Sequence, residues 1–232
     1  MYQEVEPEGS VNAKVILVGE APGRQEVLKG RPFIGPAGGV LDRLMSAAGL
    51  IRADCYILNT IPICVDKKLE EYITFEKPGK QSKLTYVMGS KGGAWVSQEY
   101  LDYEERLINQ INNSSAELVV PLGGVATFAL TRRNNISCWR GSILYDDRIP
   151  GKRIIPTIHP SATFKQYTYE YLILFDLTRV KEELYKPEGP PLRKYRIRPS
   201  FSEAIWYIQE CHKYKEIGFD IETKRTRVIE AF

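Results

Sequence analysis

The thirty residues from Val15 to Leu44 constrain the fold of this chain more than any other stretch. They open with the apolar run VILV at residues 15–18, which has the length of a buried strand. Pro22, which lacks an N–H, and Gly23, which tolerates positive φ, then require a tight loop. From residue 37 to residue 50, small and apolar residues recur at helical spacing. A strand, a rigid loop and a helix in this order are how open α/β sheets place ligands at the carboxyl ends of their strands.

The rest of the chain continues this alternation of strands and helices. Further strands are predicted at residues 54–60, 118–122 and 153–158, and helices at residues 99–112, 125–130 and 168–185. This order favours an α/β fold, a three-layer α/β/α sandwich with a mainly parallel central sheet. Glu20, Asn59, Gly123 and His159 each follow a strand, so we expect them to meet at one edge of the sheet.

The segment from residue 66 to residue 98 interrupts the alternation and is rich in lysine and glycine. Its second half predicts a hairpin, because two short apolar runs, 84–88 and 94–97, flank the turn sequence GSKGG. Its lysines are Lys67, Lys68, Lys77, Lys80, Lys83 and Lys91.

The C-terminal part differs in composition from the rest of the chain. Residues 187–199 contain four prolines among Arg and Lys residues, which is typical of a linker. The following residues predict an amphipathic helix capped by Ser200 or Ser202, and then a strand. We therefore expect one domain over residues 1–186 and a short helix–strand stub over residues 200–232.

Composition excludes some classes of function. The net charge of +3, from 32 basic and 29 acidic residues, is too small to indicate nucleic-acid binding by itself, so a basic face requires local clustering. No apolar run approaches the ~20 residues of a membrane span, and the acidic N-terminus MYQEVEPEGS does not resemble a signal peptide. The cysteines form no CxxC pair, so we expect a reduced, cytoplasmic protein.

Three motifs carry a resemblance to a known family. They are GEAPGRQEVLKGRPFIGPAGGVL at residues 19–41, YILN at residues 56–59 and PTIHPS at residues 156–161. In this order they resemble the active-site motifs of the family 4 uracil-DNA glycosylases, and together they frame residues 11–186. The resemblance implies a glycosylase-like fold and removal of uracil from single- or double-stranded DNA. A generic nucleotide-binding α/β protein would not require all three motifs.

The resemblance implies that Phe33, Asn59 and Ala21 bind the uracil base. Phe33 would stack on the base, although an aromatic at this position is otherwise a core residue. The Asn59 amide offers a donor and an acceptor that match O4 and N3–H of uracil, whereas an asparagine after a strand otherwise closes a turn. The backbone N–H of Ala21 would contact the base as well.

The resemblance also implies the residues of the chemical step. His159 would donate to uracil O2 as negative charge develops on the leaving base, although a lone histidine here is otherwise a turn residue. Glu20 and Glu26 are the candidates to orient water and stabilise the cationic sugar. The alternative for Glu26 is a solvated surface residue. We expect no metal ion in this step.

A third group is expected to hold the DNA strand. Gly123, Gly124 and Ser161 are the predicted phosphate contacts, since glycines permit close backbone approach and helix N-termini favour anions. Phe164 is the predicted wedge that fills the gap left by the flipped base, unless it packs under the following helix. Lys165 lies beside it in the sequence and is the predicted basic contact. The six lysines of residues 66–98 either contact DNA as well or keep a mobile insertion in solution.

The chain departs from the family at its iron–sulfur ligands. Family 4 enzymes hold a cluster with four cysteines, two of them in a CxxC before the first motif, a feature missing here. Cys64 matches the third ligand position, whereas Ser97 stands in the stretch SQEYL where the fourth cysteine is expected. One thiolate cannot hold a cluster that needs four. We therefore expect no iron–sulfur cluster and no other cofactor.

The sequence FDIET at residues 219–223 resembles the first metal-binding motif of proofreading 3′–5′ exonucleases. With the motifs above, it resembles bacteriophage family A DNA polymerases that carry a glycosylase-like domain in front. We therefore expect residues 200–232 to begin an incomplete exonuclease-like domain, and the partners to be DNA and polymerase domains in cis. A monomer is expected.

A catalytically silent module that tethers DNA or a processivity partner is the competing hypothesis. Glu20, Phe33, Asn59 and His159 favour activity, because a tether needs none of them.

Overall fold

The structure is a computed structural model that describes residues 3–65, 68–80, 82–90, 92–185, 200–213 and 215. The chain forms two compact units, Met1–Pro187 and Glu188–Phe232. The predicted linker 187–199 and the predicted strand 217–223 with its FDIET motif lie outside the described residues.

Strands and helices alternate along the first unit. Its strands are β1 (Val15–Gly19), β2 (Cys55–Asn59), β3 (Ile73–Thr74), β4 (Thr85–Val87), β5 (Ala94–Val96), β6 (Leu118–Pro121) and β7 (Arg153–Ile154). Its helices are α1 (Arg24–Lys29), α2 (Pro36–Ala47), α3 (Leu69–Tyr72), α4 (Gln98–Asn112), α5 (Gly124–Thr131), α6 (Ile136–Trp139) and α7 (Tyr169–Tyr185).

The central sheet has four parallel strands in the order β2-β1-β6-β7. Side chains of β1 alternate between two buried layers, which explains why its sequence is continuously apolar. Val15 and Leu17 pack with residues of α2 and α7, whereas Ile16 and Val18 pack with residues of α4 and α5. The sheet therefore has helices on both faces, and the predicted three-layer α/β/α fold is confirmed.

The last strand of this sheet is shorter than its sequence predicts. We expect a strand over residues 153–158, but β7 ends at Ile154. Pro156 has no N–H to donate, so a regular ladder cannot continue through it. The chain nevertheless keeps its direction, because Thr157 forms an isolated parallel bridge with Leu122. His159 therefore still reaches the carboxyl edge of the sheet.

Beside the central sheet lies a small antiparallel sheet in the order β3-β5-β4. Strands β4 and β5 form the predicted hairpin, with the Tyr86 and Trp95 rings 5.2 Å apart across it. Two of the lysines in this segment, Lys67 and Lys91, lie outside the described residues.

The described residues before β1 form an N-terminal arm, and residues 4–8 of this arm lie along the outer edge of β2. Glu8 exchanges two backbone hydrogen bonds with Ile57, and the Val5 N–H donates to the Pro62 carbonyl. The arm thus covers an edge strand that would otherwise leave backbone groups unpaired.

The second unit contributes one helix to the described residues, α8 (Phe201–Cys211). Ser200 caps it: its hydroxyl accepts from the Glu203 N–H while the Glu203 carboxylate accepts from the Ser200 N–H. This is one of the two caps that the sequence predicts. Within the described part of the chain, no helix is long and apolar enough to cross a membrane.

Candidate active site

A cavity of about 410 Å³ opens at the carboxyl edge of the central sheet. It brings six of the sequence-predicted site residues together: Ala21, Glu26, Phe33, Asn59, His159 and Phe164. The other lining residues come from the loops around α1 and the start of α2: Gly23, Arg24, Gln25, Gly35, Pro36 and Ala37. The other five predicted site residues, Glu20, Gly123, Gly124, Ser161 and Lys165, are not among the described residues that line it.

The Phe33 ring forms one wall of this cavity and is only 4% exposed. Its backbone has a φ of 51°, in the left-handed region that a bulky residue rarely adopts. Gly19 makes room for the ring, because a Cβ there would lie 2.6 Å from two of its carbons. The ring centroid is 5.9 Å from that of His159, with the planes tilted by 36°. A flat base therefore has an aromatic surface next to a possible hydrogen-bond donor.

Residues 30–35, between α1 and α2, form the loop that carries Phe33 (the Phe33 loop). Arg52 holds this loop in place, a role that sequence reasoning missed. Its guanidinium donates to the backbone carbonyls of Pro32 (2.7 Å) and Phe33 (3.1 Å). It also binds both carboxylate oxygens of Glu8, at 3.0 Å each, and the Asp42 carboxylate at 2.9 Å. Hydrogen bonds from Arg52 hold the pKa of Glu8 at about 2, below its usual 4.5. A fork of charged donors thus fixes a strained loop from behind.

Asn59 is the last residue of β2 and stands in register with Gly19 at the end of β1. Its Oδ1 lies so close to the Gly19 Cα that a methyl group there would overlap it. The Asn59 amide makes no hydrogen bond to another described residue, and neither does the Ala21 N–H. Both remain available to a ligand in the cavity, and the Asn59 amide offers an acceptor oxygen and a donor NH2 group.

The His159 ring is oriented by Ser161. The backbone N–H of Ser161 donates to His159 Nδ1 (3.2 Å), and the Ser161 hydroxyl lies 2.7 Å from the same nitrogen. Because a backbone N–H can only donate, Nδ1 is an acceptor, and the proton of the neutral ring resides on Nε2. Burial lowers the pKa of His159 from 6.5 to about 4. At neutral pH the ring is therefore an uncharged donor through Nε2.

Gly123 allows His159 this position. Gly123 has a φ of 95°, and a Cβ there would lie 2.9 Å from the His159 Cβ. Its N–H donates to the Thr157 carbonyl, and the next residue, Gly124, begins α5. The hydroxyl of Ser161, a residue predicted to contact phosphate, lies 2.7 Å from His159 Nδ1.

The two predicted water-orienting carboxylates differ in their surroundings. Glu26 lines the cavity, and its carboxylate also accepts a hydrogen bond from the Gly23 N–H as the cap of α1. Glu20 is half-buried beyond the end of β1, and burial raises the pKa of its carboxyl above the usual 4.5. Glu26 therefore faces the ligand space, whereas burial favours the protonated form of the Glu20 carboxyl.

Phe164 and Lys165 lie at the rim. Phe164 lines the cavity yet keeps most of its side chain in solvent, so it does not pack under the following helix. Lys165 is exposed next to it. This placement is compatible with a wedge beside a basic group.

The four cysteines have different surroundings. Cys55 is buried in β2, Cys64 is half-buried, Cys138 is exposed in α6, and Cys211 belongs to the other unit. Ser97 is occupied as the cap of α4, because its hydroxyl accepts from the Tyr100 N–H. Among the described residues, no group of three or more His, Cys, Asp or Glu could hold a metal ion.

Comparisons with known proteins identify relatives of this chain. A type-4 uracil-DNA glycosylase of Sulfurisphaera tokodaii is 41% identical over 189 residues, 78% of this chain and 74% of that protein. Another, of Thermotoga maritima, is 28% identical over 186 residues, 78% of this chain and 83% of that protein. A DNA polymerase of Bacillus phage SP01 is 25% identical over 235 residues, 94% of this chain but only 22% of the polymerase. The family model described as the Uracil DNA glycosylase superfamily matches residues 6–177, most of the chain. This chain therefore belongs to the uracil-DNA glycosylase superfamily.

Proposed function

We propose that this protein hydrolyses the N-glycosidic bond of deoxyuridine in DNA. The observation that carries the proposal is a single cavity lined by the Phe33 ring, the Asn59 amide and the His159 imidazole. Its volume of about 410 Å³ lies within the usual range for ligand pockets, ~300–1,000 Å³. Membership in the superfamily and the type-4 relatives support the same reaction.

The substrate reaches this cavity only if the deoxyuridine leaves the base stack. The base then lies against the Phe33 ring, while the Asn59 amide accepts from N3–H and donates to O4. Cytosine offers an unprotonated N3 and an amino group at these positions, so it presents the opposite pattern and is rejected. Phe164 at the rim fills the gap that the base leaves in the DNA.

In the chemical step the bond between C1′ and N1 breaks, and its electron pair leaves with the base. Nε2–H of His159 donates to O2 of the departing uracil anion, where negative charge develops. Water adds to C1′ and loses one proton, and the uracil anion gains one. The products are free uracil and an abasic site.

Glu20 and Glu26 are the proposed groups that orient this water. The raised pKa of Glu20 suits proton acceptance, whereas Glu26 is closer to the ligand space. The variants Glu20→Gln and Glu26→Gln separate the two, because a glutamine keeps the size and, at position 26, the cap of α1. A loss in the maximal rate in only one of them assigns the role.

We also propose that the reaction needs no iron–sulfur cluster. The residues present do not fit one. Ser97 caps α4 where a fourth cysteine is expected, and Cys64 belongs to no group of three or more possible metal ligands among the described residues. Purified protein should then contain no stoichiometric iron or sulfide and still release uracil. Stoichiometric iron that is required for activity would contradict the proposal.

We further propose that the chain is the N-terminal part of a phage DNA polymerase. The similarity to the phage SP01 polymerase covers 94% of this chain. It therefore includes residues beyond 177, where the family match ends. The FDIET motif supports the same context. A reading frame that continues past Phe232 into further exonuclease motifs is the expected result, and a stop codon directly after it would contradict the proposal.

The main proposal is tested with single-stranded oligonucleotides that carry one uracil, thymine or cytosine. Alkali after incubation should break only the uracil strand, because alkali cleaves at the abasic site. Equal binding of all three strands without breakage would favour a silent tethering module instead.

A further inference from the structure

A row of exposed aromatic side chains leads away from the mouth of the cavity. Phe164 lines the cavity, and Tyr167, Tyr171 and Phe175 follow it along the entry to α7 and its first turns. These four side chains are between 59% and 67% exposed, far more than aromatic residues with a packing role. The row therefore requires an explanation other than the core.

The spacing puts Tyr167, Tyr171 and Phe175 on one face. Successive members are four residues apart, so each lies about 6 Å further along the helix axis than the one before it. The Tyr167 carbonyl accepts from the Glu170 N–H, so the helical turn begins before α7 itself. The Tyr167 and Tyr171 rings are 6.2 Å apart and nearly perpendicular.

The opposite face of α7 holds the helix firmly on the sheet. Ile173, Leu177 and Val180 are completely buried there. The aromatic row is therefore the outer face of a well-anchored helix, and its rings are not displaced core residues.

The charges along residues 161–178 leave the row open to an anionic partner. The acidic residues of this stretch, Glu170 and Asp176, are buried and paired with Arg43 and Arg140. Between residues 161 and 178 every exposed side chain is either uncharged or basic, the basic one being Lys165. A phosphate backbone following the row thus meets no exposed carboxylate on this stretch.

We propose that the row is a stacking platform for unpaired bases on one side of the uracil. This inference rests on the proposed function, because it takes the cavity as the place of the flipped base. Aromatic rings and a positive or neutral path are how proteins bind single-stranded DNA without regard to sequence. Continuity with the cavity through Phe164 distinguishes DNA from a protein partner, which would have no reason to begin there.

The test removes two rings beyond the cavity mouth with the double variant Tyr171→Ala/Phe175→Ala. Fluorescence anisotropy then measures Kd for a uracil-free single strand and for the matched blunt duplex. Single-strand affinity should fall by about fivefold or more for each ring, while duplex affinity stays within about twofold. Replacement of both residues with tryptophan should restore it.

The matched control is Tyr145→Ala, which removes an equally exposed tyrosine. Its neighbour Leu144 forms a bridge with Ile154, at the opposite end of the sheet from the cavity. The control variant should leave both affinities unchanged. Uracil release from single strands should show a raised KM and an unchanged kcat in the double variant, because the removed rings do not touch the reacting bond.

Unchanged single-strand binding in the double variant would overturn the platform, and an accompanying change in oligomeric state would assign the row to a protein contact. An equal loss on duplex DNA would also overturn it. If the wild type releases no uracil, the proposed function fails, but the anisotropy comparison still decides about the platform.

Discussion

Arg52 illustrates how a single side chain can determine the geometry of the site without touching its cavity. It donates to the carbonyls of Pro32 and Phe33 and is held by Glu8 and Asp42. Arg52→Met should therefore cost about 3 kcal/mol of unfolding free energy, because it leaves the half-buried Glu8 carboxylate without its main partner. It should also lower uracil release more than tenfold, because the Phe33 loop is released.

Arg52→Lys separates these two effects. A lysine keeps the charge opposite Glu8 but cannot bind two carbonyls and a carboxylate at once. Stability should therefore recover more than activity, as measured by thermal unfolding and by kcat/KM for uracil release. As a control, Arg106→Met removes the exposed ion pair between Arg106 of α4 and Glu4 of the N-terminal arm. It should change stability and activity little. Wild-type activity in both Arg52 variants would show that the hydrogen bonds of Arg52 do not position Phe33.

His159 makes a prediction about pH. Its pKa is lowered from 6.5 in the unfolded chain to about 4, so the unfolded state binds more protons between these values. Stability should therefore fall as pH decreases from about 6.5 to about 4, and His159→Asn should flatten this dependence. The kcat for uracil release should show no inflection near pH 6.5, since the ring is already neutral there. A titration of kcat near 6.5 would contradict the neutral donor.

At the scale of elements, α2 packs closely against the Phe33 loop at Gly38, whereas its neighbour Gly39 faces open space. A Cβ at Gly38 would overlap the Phe33 carbonyl group and lie 2.9 Å from its Cα, whereas a Cβ at Gly39 would meet nothing within 4 Å. Gly38→Ala should therefore cost about 1–3 kcal/mol and impair uracil release. Gly39→Ala should raise stability by roughly 0.5–1 kcal/mol, because alanine is the better helix former. Equal thermal midpoints for the two variants would refute this view of the loop.

The elements themselves were largely predictable from sequence. Apolar runs and helical spacing located β1, β2, β6, α4 and α7, since burial on a two-sided sheet leaves a strong periodic signal. The end of β7 was wrong by four residues, because Pro156 breaks the ladder inside an apolar run.

The site was predictable where side chains follow strands, as for Asn59 and His159. Arg52 and Glu8 were not, because their interactions with the Phe33 loop join residues far apart in the chain. The contact between Ser161 and His159 was not predicted either, since it depends on a local turn that the residue types do not reveal.

At the scale of the whole molecule, affinity for DNA must come from clustered basic residues, because the net charge is only +3. The lysine-rich segment is the proposed source. Lys80 and Lys83 form no ion pair within the described part of the chain, and Lys91 lies outside it. Replacing all three with alanine should weaken binding to DNA with and without uracil alike. It should also flatten the slope of log affinity against log salt by roughly 0.9 for each phosphate that is no longer neutralised.

Lys14→Ala serves as the control, since Lys14 pairs with Glu117 and precedes β1 at the far edge of the sheet. It should leave the slope unchanged. An unaltered slope in the triple variant would exclude the segment from the DNA footprint.

The cavity at the carboxyl edge of the sheet is the proposed place of uracil removal. The most direct measurement is the single-turnover rate of uracil release by the wild type, His159→Ala and Asn59→Ala, alongside the Kd of each for DNA. The wild type should release uracil, and each variant should be slower by about 100-fold or more with DNA binding nearly unchanged, because a donor or reader at the base is lost. A wild type that leaves uracil in place, or two variants that release it at the wild-type rate, would contradict the account.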